Sequence, residues 1–378
     1  MPFFERKLLR NLDFRLMALA VILTLLGITV LESATVGLAA GSQYYLRRQL
    51  LAAVLGVVAM VVILAIDYSD FARMANLIYF AHLALLLGVL VMGRTASGAT
   101  RWLQLGPIPL PQPSEIAKLA VIISLATYLS GKEEPMRGWL DMARAILYIL
   151  PSAALVLLQP DLGTALTFFM LGAGMMYVAG VPGRRLLALG VMGLTAVTAA
   201  LYMHLNHGLK LPLYPHQVNR LTSFLRPDVD PLNTGYQLIQ SKIAVGSGRL
   251  WGKGLFAGTQ NILRFIPEKH TDFIFSVIGE ELGFVGSTAV VVAFVLLAWG
   301  GLAIARRARD RFGTLLVVGI VVMWSCQAFI NVGMTMGIMP ITGLPLPFIS
   351  YGSSALITNF AALGLLLNVG MRRKKILF

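Results

Sequence analysis

A single cysteine, Cys326, stands in the whole chain, so no intrachain disulfide can staple it, and its place in an apolar run reads as packing. Charge is scarce as well: Asp, Glu, Lys and Arg make up 13% of the 378 residues, about half the share of a soluble domain. Acids are the scarcer sign, 17 against 31 Lys and Arg, for a net charge of +14. That excess does not describe a nucleic-acid binder, because the bases sit at the ends of apolar runs and not along one face or stripe. It fits membrane topology and contact with anionic membrane lipid. Walker spacing, a nucleophile elbow and a zinc motif are missing, and the glycines around Ser247 and Lys253 follow no strand. His204 and His207 have a metal-like spacing but no acid or cysteine close by. No internal repeat is evident, which counts against a repeat-built transporter. A cleavable signal is not expected, since the first apolar run is too long for one and no clear small-residue site comes after it.

What the chain has in quantity is apolar length, with 57% hydrophobic residues. A spanning helix needs about 20 apolar residues. Ten runs come near that: 14–34, 48–66, 73–92, 115–130, 142–159, 162–180, 184–204, 273–300, 313–337 and 353–371. The expected fold is an all-α polytopic membrane protein, a single transmembrane domain over residues 1–378. Gln159-Pro160-Asp161 divides the fifth run from the sixth: proline disfavours helix in the residue before it, and Asp161 can cap the sixth helix with its side-chain oxygen. Ser114 is the expected cap of the fourth helix. Glu115 then falls in the first turn, where the helix dipole favours an acid, and Lys118 shares its face. With the N-terminus inside, the inner short loops and tails hold eighteen Lys and Arg; the outer short loops hold Arg47, Arg48, Arg94 and Arg101. This asymmetry puts both ends in the cytosol.

Two stretches depart from the pattern of spans and short turns. Residues 205–272 form a long extracytoplasmic loop, rich in bases, of the length that is usually functional or disordered. Its apolar-periodic part, Tyr236–Val245, is expected to be an amphipathic helix on the membrane surface. Pro340–Gly352 (PITGLPLPFISYG) is too irregular to cross lipid and is expected to fold back into the protein as a re-entrant loop before the last helix.

Ionisable residues near membrane depth are costly and therefore candidates for function. Glu32, Glu115, Asp161, Asp228, Asp230, Glu268 and Asp272 fall near the outer face, with Glu280 and Glu281 deeper in the eighth span. Each has a plainer reading beside the functional one. Asp161 and Asp272 can be helix caps, and Glu115 can be an internal partner of Lys118. Pro267, Glu268, Lys269, His270 and Asp272 gather unusual residues at one junction of loop and span.

Five segments, in order, resemble the SEDS proteins (shape, elongation, division and sporulation), the RodA/FtsW group. They are Gly98–Lys118 (GATRWLQLGPIPLPQPSEIAK), Gln159–Ala165 (QPDLGTA), Asn233–Gly254 (NTGYQLIQSKIAVGSGRLWGKG), Pro267–Gly283 (PEKHTDFIFSVIGEELG) and Gly337–Ser354 (GIMPITGLPLPFISYGSS). The stretch Gly337–Phe348 and the short N-terminal tail are more similar to RodA than to FtsW. Two positions depart from the family: SYGGSS is here Ser350-Tyr351-Gly352-Ser353-Ser354, and Arg249 stands where glycine is usual.

The resemblance implies a peptidoglycan glycosyltransferase that polymerises lipid II at the outer face of the cytoplasmic membrane. It implies a class B penicillin-binding protein as partner, and other elongation-complex membrane proteins. Asp272 matches the family's essential aspartate and is the expected general base. Arg101, Glu115, Lys118 and Asp161 match charged positions of its central cavity. Arg48, Arg220, Lys242, Glu268 and His270 complete the expected site for substrate and growing glycan strand. A divalent cation, Mg2+ or Mn2+, is expected, with Glu115, Asp161 and Asp272 as its ligands. Two rivals stay open: a lipid II flippase, whose charges would run through the full membrane depth, and a non-catalytic scaffold, in which Asp272 is a replaceable cap.

Overall fold

The computed structural model describes residues 11–38, 41–96, 99–102, 104–105, 108–109, 111–132, 136, 138–208, 215–225, 234–263 and 265–372. All ten expected spans are helical. They are α1 (Phe14–Thr35), α2 (Ser42–Ala65), α4 (Ala75–Met92), α5 (Pro113–Ser130), α6 (Trp139–Leu158), α7 (Leu162–Val178), α8 (Gly183–His207), α12 (Ile274–Arg306), α13 (Arg311–Thr335) and α14 (Ser353–Met371). A short α3 (Tyr68–Arg73) joins α2 to α4. Eight of the ten are long and apolar enough to cross a membrane, and the chain is a multi-pass membrane protein. The other two are shorter or more polar: α7 has 17 residues, and α5 carries Glu115 and Lys118 within its 18. At 1.5 Å per residue these helices rise about 26 Å.

The helices divide by what they touch. Most of α13 and α14 is buried, 72% and 89% of their apolar windows, against 6% for α8. The first two are the centre of the bundle. α8 presents exposed Leu187, Val191 and Leu194, an arrangement that suits a helix bathed in lipid. Beside the helices, two small antiparallel hairpins lie between α4 and α5, an addition to the all-α expectation. They pair β1 (Arg94–Ala96) with β2 (Ala99–Trp102) and β3 (Gln104–Leu105) with β4 (Ile108–Pro109).

The described residues of the long loop form three helices: α9 (Pro215–Leu225), α10 (Thr234–Ser247) and α11 (Thr259–Ile262). The helix expected near Tyr236–Val245 forms as α10, and one face of it packs on protein. Leu238, Ser241 and Ala244, one helical turn apart, are buried against α12 and α13. The Ser241 hydroxyl donates to the Thr335 carbonyl over 2.8 Å. A stripe this narrow and small suits a groove between helices.

α12 breaks at Gly283, whose φ of 66° and ψ of −161° leave the helical region. The break frees backbone groups that the preceding loop takes up. Phe284 and Val285 amides donate to the carbonyls of Arg249 and Leu250 (2.8 and 3.1 Å), while Lys253 and Gly254 amides donate to those of Glu280 and Glu281 (both 3.0 Å). A Cβ on Gly283 would stand 2.3 Å from the Gly252 nitrogen. The two glycine-bearing segments, one in the loop and one in the span, thus interlock.

Between α13 and α14 the chain is non-helical yet mostly buried, with Leu344, Leu346, Phe348 and Ile349 at 2% exposure or less. This is the expected re-entrant stretch. Non-helical backbone at membrane depth is tolerated only when protein covers it, and here α1 does so: a Cβ on Gly27 would lie 2.6 Å from the Ile349 Cα.

Candidate functional site

Several of the charged residues singled out in the sequence lie on or beside the re-entrant stretch. Gly343, at φ +74°, sits where a Cβ would be 3.2 Å from the Asp272 carboxylate and 3.3 Å from the Arg220 guanidinium. Thr342, beside it, meets the first turn of α7: its carbonyl lies 2.7 Å from where a Gly163 Cβ would be. Asp161 starts that turn, accepting from the Thr164 amide (3.2 Å) and hydroxyl (3.0 Å). Gly337 packs against the Lys242 side chain. Tyr351 hydrogen-bonds Arg48 through its hydroxyl, and its amide donates to the His270 carbonyl at 3.0 Å. Ser354 accepts the Gln112 amide at 2.8 Å and so touches the start of α5, where Glu115 and Lys118 pair at 2.8 Å, almost fully buried.

Asp272 itself stands on a turn fixed at consecutive residues. The Lys269 ammonium is buried on the Asn261 carbonyl. The Thr271 carbonyl accepts from the Ser350 hydroxyl at 2.7 Å. The Asp272 carbonyl accepts from the Asn331 side chain at 2.9 Å, and the same amide group reaches the Leu344 carbonyl at 2.8 Å. Phe273, not Asp272, is the N-cap residue of α12, and it makes no side-chain cap. Asp272 thus stands one residue before the cap position, whereas Asp161 occupies that of α7.

His270 and Arg48 share an aromatic neighbourhood. The imidazole lies 5.1 Å from the Tyr45 ring and 5.6 Å from that of Tyr351. Burial lowers its pKa from the usual 6.5, against an opposing pull from the Glu268 charge. The Arg48 guanidinium covers the Tyr44 ring at 4.8 Å, and the neighbouring Gln49 clamps Ser350 and Gly352 by their backbone at 3.1 and 3.2 Å.

Several expectations change. Ser114 does not cap α5: Gln112 is the cap residue, with Pro113 in the first turn, where a missing amide hydrogen costs nothing. Ser114 instead accepts from the Gln112 side chain at 2.9 Å. Glu268 remains exposed on its turn, held by the Thr271 hydroxyl at 3.2 Å. Arg101 lies in β2, and its side chain is outside the described residues. Glu115, Asp161 and Asp272 do not form a metal-ligand set: among the described residues no three His, Cys, Asp or Glu are grouped to hold an ion. Glu115 is committed to Lys118, and Asp161 to its helix.

Sequence reasoning did not find Asn331, Ser350, Gln49 or Asn261. An uncharged polar residue in an apolar run is the signal that marks Asn331, which is fully buried.

Fold and site together define a multi-pass membrane protein whose charged residues surround a buried re-entrant stretch. A family model described as "Cell cycle protein", FTSW_RODA_SPOVE, matches residues 10–375, and the chain belongs to that family. It is 38% identical to "Probable peptidoglycan glycosyltransferase FtsW" of Geobacter metallireducens, over 97% of each chain. With "Peptidoglycan glycosyltransferase MrdB" of Escherichia coli it shares 37% identity over 94% of this chain and 93% of the other. Among solved structures it is similar to a chain from work on polymerization and crosslinking by a peptidoglycan synthase complex. That match has a TM-score of 0.79 at 34% identity, covering 95% of this chain and 97% of that one. The rod shape determining protein RodA of Thermus thermophilus gives a TM-score of 0.71 at 31% identity, over 96% and 98%.

Proposed function

We propose that the chain polymerises lipid II into glycan strands at the outer face of the cytoplasmic membrane during cell elongation, with both termini in the cytosol. The class of enzyme, a peptidoglycan glycosyltransferase, is the one its relatives share. Asp272 is the general base. Its carboxylate takes the proton of the acceptor 4-hydroxyl as that oxygen bonds to the donor's anomeric carbon. The bond from that carbon to the diphosphate breaks with inversion, and undecaprenyl diphosphate leaves with the electron pair. A diphosphate needs countercharge more than a second acid. Arg220, facing the same glycine as Asp272, is placed to give it, with Arg48, Arg101, Lys118 and Lys242 as further bases of the site.

The observation that carries this reading is the meeting of Asp272 and Arg220 at Gly343. A base and an anion-binding cation face one gap that no Cβ fills. Mg2+ or Mn2+ enters the proposal only as a companion of the substrate's diphosphate, since the described acids do not group around an ion. The flippase reading needs charge through the membrane depth. Its best candidates, Glu280 and Glu281, are instead tied to the loop and to α1: Glu280 accepts from Lys253 at 2.7 Å and Glu281 from Ser33 at 2.5 Å. The partner we propose is a class B penicillin-binding protein, in line with the synthase complex among the structural neighbours; other elongation-complex membrane proteins complete the assembly.

The test is polymerisation of labelled lipid II by purified protein with its cognate transpeptidase, wild type beside Asp272→Asn. General-base catalysis contributes about 10²–10⁴-fold, so the variant is expected to make no detectable glycan while still binding its partner. Full activity in Asp272→Asn overturns the mechanism. Headgroup translocation in liposomes without polymer favours the flippase.

A further inference from the structure

Glu280 and Glu281 are buried to 1% exposure, and the chemistry proposed above does not use them. Burying two adjacent carboxylates is expensive unless each is hydrogen-bonded and charge-balanced. Glu280 Oε1 accepts from the Lys253 ammonium (2.7 Å), the Thr259 hydroxyl (3.1 Å) and the Gln260 amide (3.0 Å), and Oε2 from the Asn261 amide (3.3 Å). Glu281 Oε1 accepts from the Ser33 hydroxyl (2.5 Å) and the Asn261 side chain (3.2 Å). Asn261 also donates to the Ser33 carbonyl at 3.0 Å, so α1, α11 and α12 meet at this one residue. Its own carbonyl receives the buried Lys269 ammonium. Lys269 is the first fixed point of the turn whose fourth residue is Asp272.

We infer that Glu280 and Glu281 are positioning residues for Asp272, acting through Asn261 and Lys269. The inference rests on Asp272 being the base. Rotating or sliding the 259–269 segment shifts Lys269, and with it the angle at which the carboxylate faces Gly343 and Arg220. A misplacement of about 1 Å costs on the order of 10²-fold in a well-oriented reaction. The pair acts by accepting hydrogen bonds and not by carrying a proton or an ion. Both side-chain bonds to Glu281 land on one oxygen, an acceptor that Glu281→Gln retains.

The experiment measures kcat and KM for lipid II with the full chain and its partner, on variants that elute as folded protein. Lys269→Met keeps the stem and removes the ammonium; we expect kcat to fall at least tenfold with KM within twofold of wild type. Lys269→Arg restores the donor and recovers most of kcat. Glu281→Gln stays within twofold of wild type, whereas Glu281→Leu behaves like Lys269→Met. If Lys269→Met does not fold, Asn261→Ala is measured in its place with the same expectation. Wild-type kcat in Lys269→Met, no rescue by Arg, or a rise in KM as the only change overturns the inference. So does an inactive Glu281→Gln, which points to an ionisable role. The two readings fail separately: activity retained in Asp272→Asn sinks the base, while an inactive Asp272→Asn beside a normal Lys269→Met sinks only the positioning network.

Discussion

Glu280 spends both its oxygens on the chain, accepting from Lys253, Thr259 and two backbone amides. Asp272, on the turn that leads into the same helix, is held by its backbone and points its carboxylate to a glycine and an arginine. Both acids lie at the junction of the long loop with α12, and both have bases beside them. Both Glu280 oxygens are met by the protein's own donors, as a structural anchor must be if a buried charge is not to destabilise the fold. The Asp272 cluster keeps its shape by fixing main chain around an acid whose surroundings lack a side chain at Gly343. The contrast separates groups that hold from groups that react, and it can be broken from either side.

The largest effect belongs to the acid itself. Asp272→Asn is expected to stop polymerisation, about 10³-fold or more below wild type, with little change in thermal unfolding. Glu280→Gln should act mainly on the fold: it loses charge-assisted bonds and destabilises by about 1–3 kcal/mol, while at temperatures where the protein is folded kcat falls about as far as in Lys269→Met and far less than in Asp272→Asn. A dead but stable Glu280→Gln would erase the distinction. Next comes Gly343→Ala. The new methyl would lie 3.2 Å from Asp272 and 3.3 Å from Arg220, on a backbone with φ +74°. Strain and crowding act together, so kcat should fall by about 10²-fold; unchanged kcat would show that the gap is not where the chemistry occurs.

Protonation of His270 gives a smaller effect. Burial disfavours its charged form, so its folded pKa is lowered from 6.5. Above about pH 6.5 the ring is neutral in both states and its packing against Tyr45 and Tyr351 is kept. As pH falls through that value the unfolded chain takes up the proton first, and stability declines. Thermal unfolding from about pH 7.5 to about pH 5 should show this slope, and His270→Asn should flatten it. An identical slope in the variant assigns the pH dependence to other groups.

Much of this was legible in the sequence because lipid leaves few choices. Apolar runs of spanning length had to be helices, and all ten are. Pro340–Gly352 had to be sheltered by protein, and it is. The charges around it could be named, but their meeting at one stretch could not. The pairings of Asp272 with Gly343, or of Gln112 with Ser354, join residues far apart in sequence. The helix near Tyr236–Val245 was found but its contact with α12 and α13 was not, because an amphipathic stripe does not say whether lipid or protein covers it. Ser114 failed as a cap because Pro113 already suits the first turn. Asn331, fully buried and binding both the Asp272 and Leu344 carbonyls, shows why polar residues inside spans merit the attention given to charged ones.

Arg249 tests the anchoring side of the contrast at its finest grain. It occupies a left-handed conformation, φ 50°, and its carbonyl accepts the Phe284 amide freed by the break in α12. A side chain in that conformation costs about 1–2 kcal/mol. Glycine removes this cost but loses more freedom on folding, by about 0.5–1 kcal/mol. The difference favours Arg249→Gly by about 0–1.5 kcal/mol, read as a small rise in unfolding temperature. Because the Arg249 side chain is exposed and the backbone bond to Phe284 is kept, kcat and KM should not move. A destabilised variant would mean that the arginine side chain itself holds the interlocked loop, and that this anchor depends on more than its backbone.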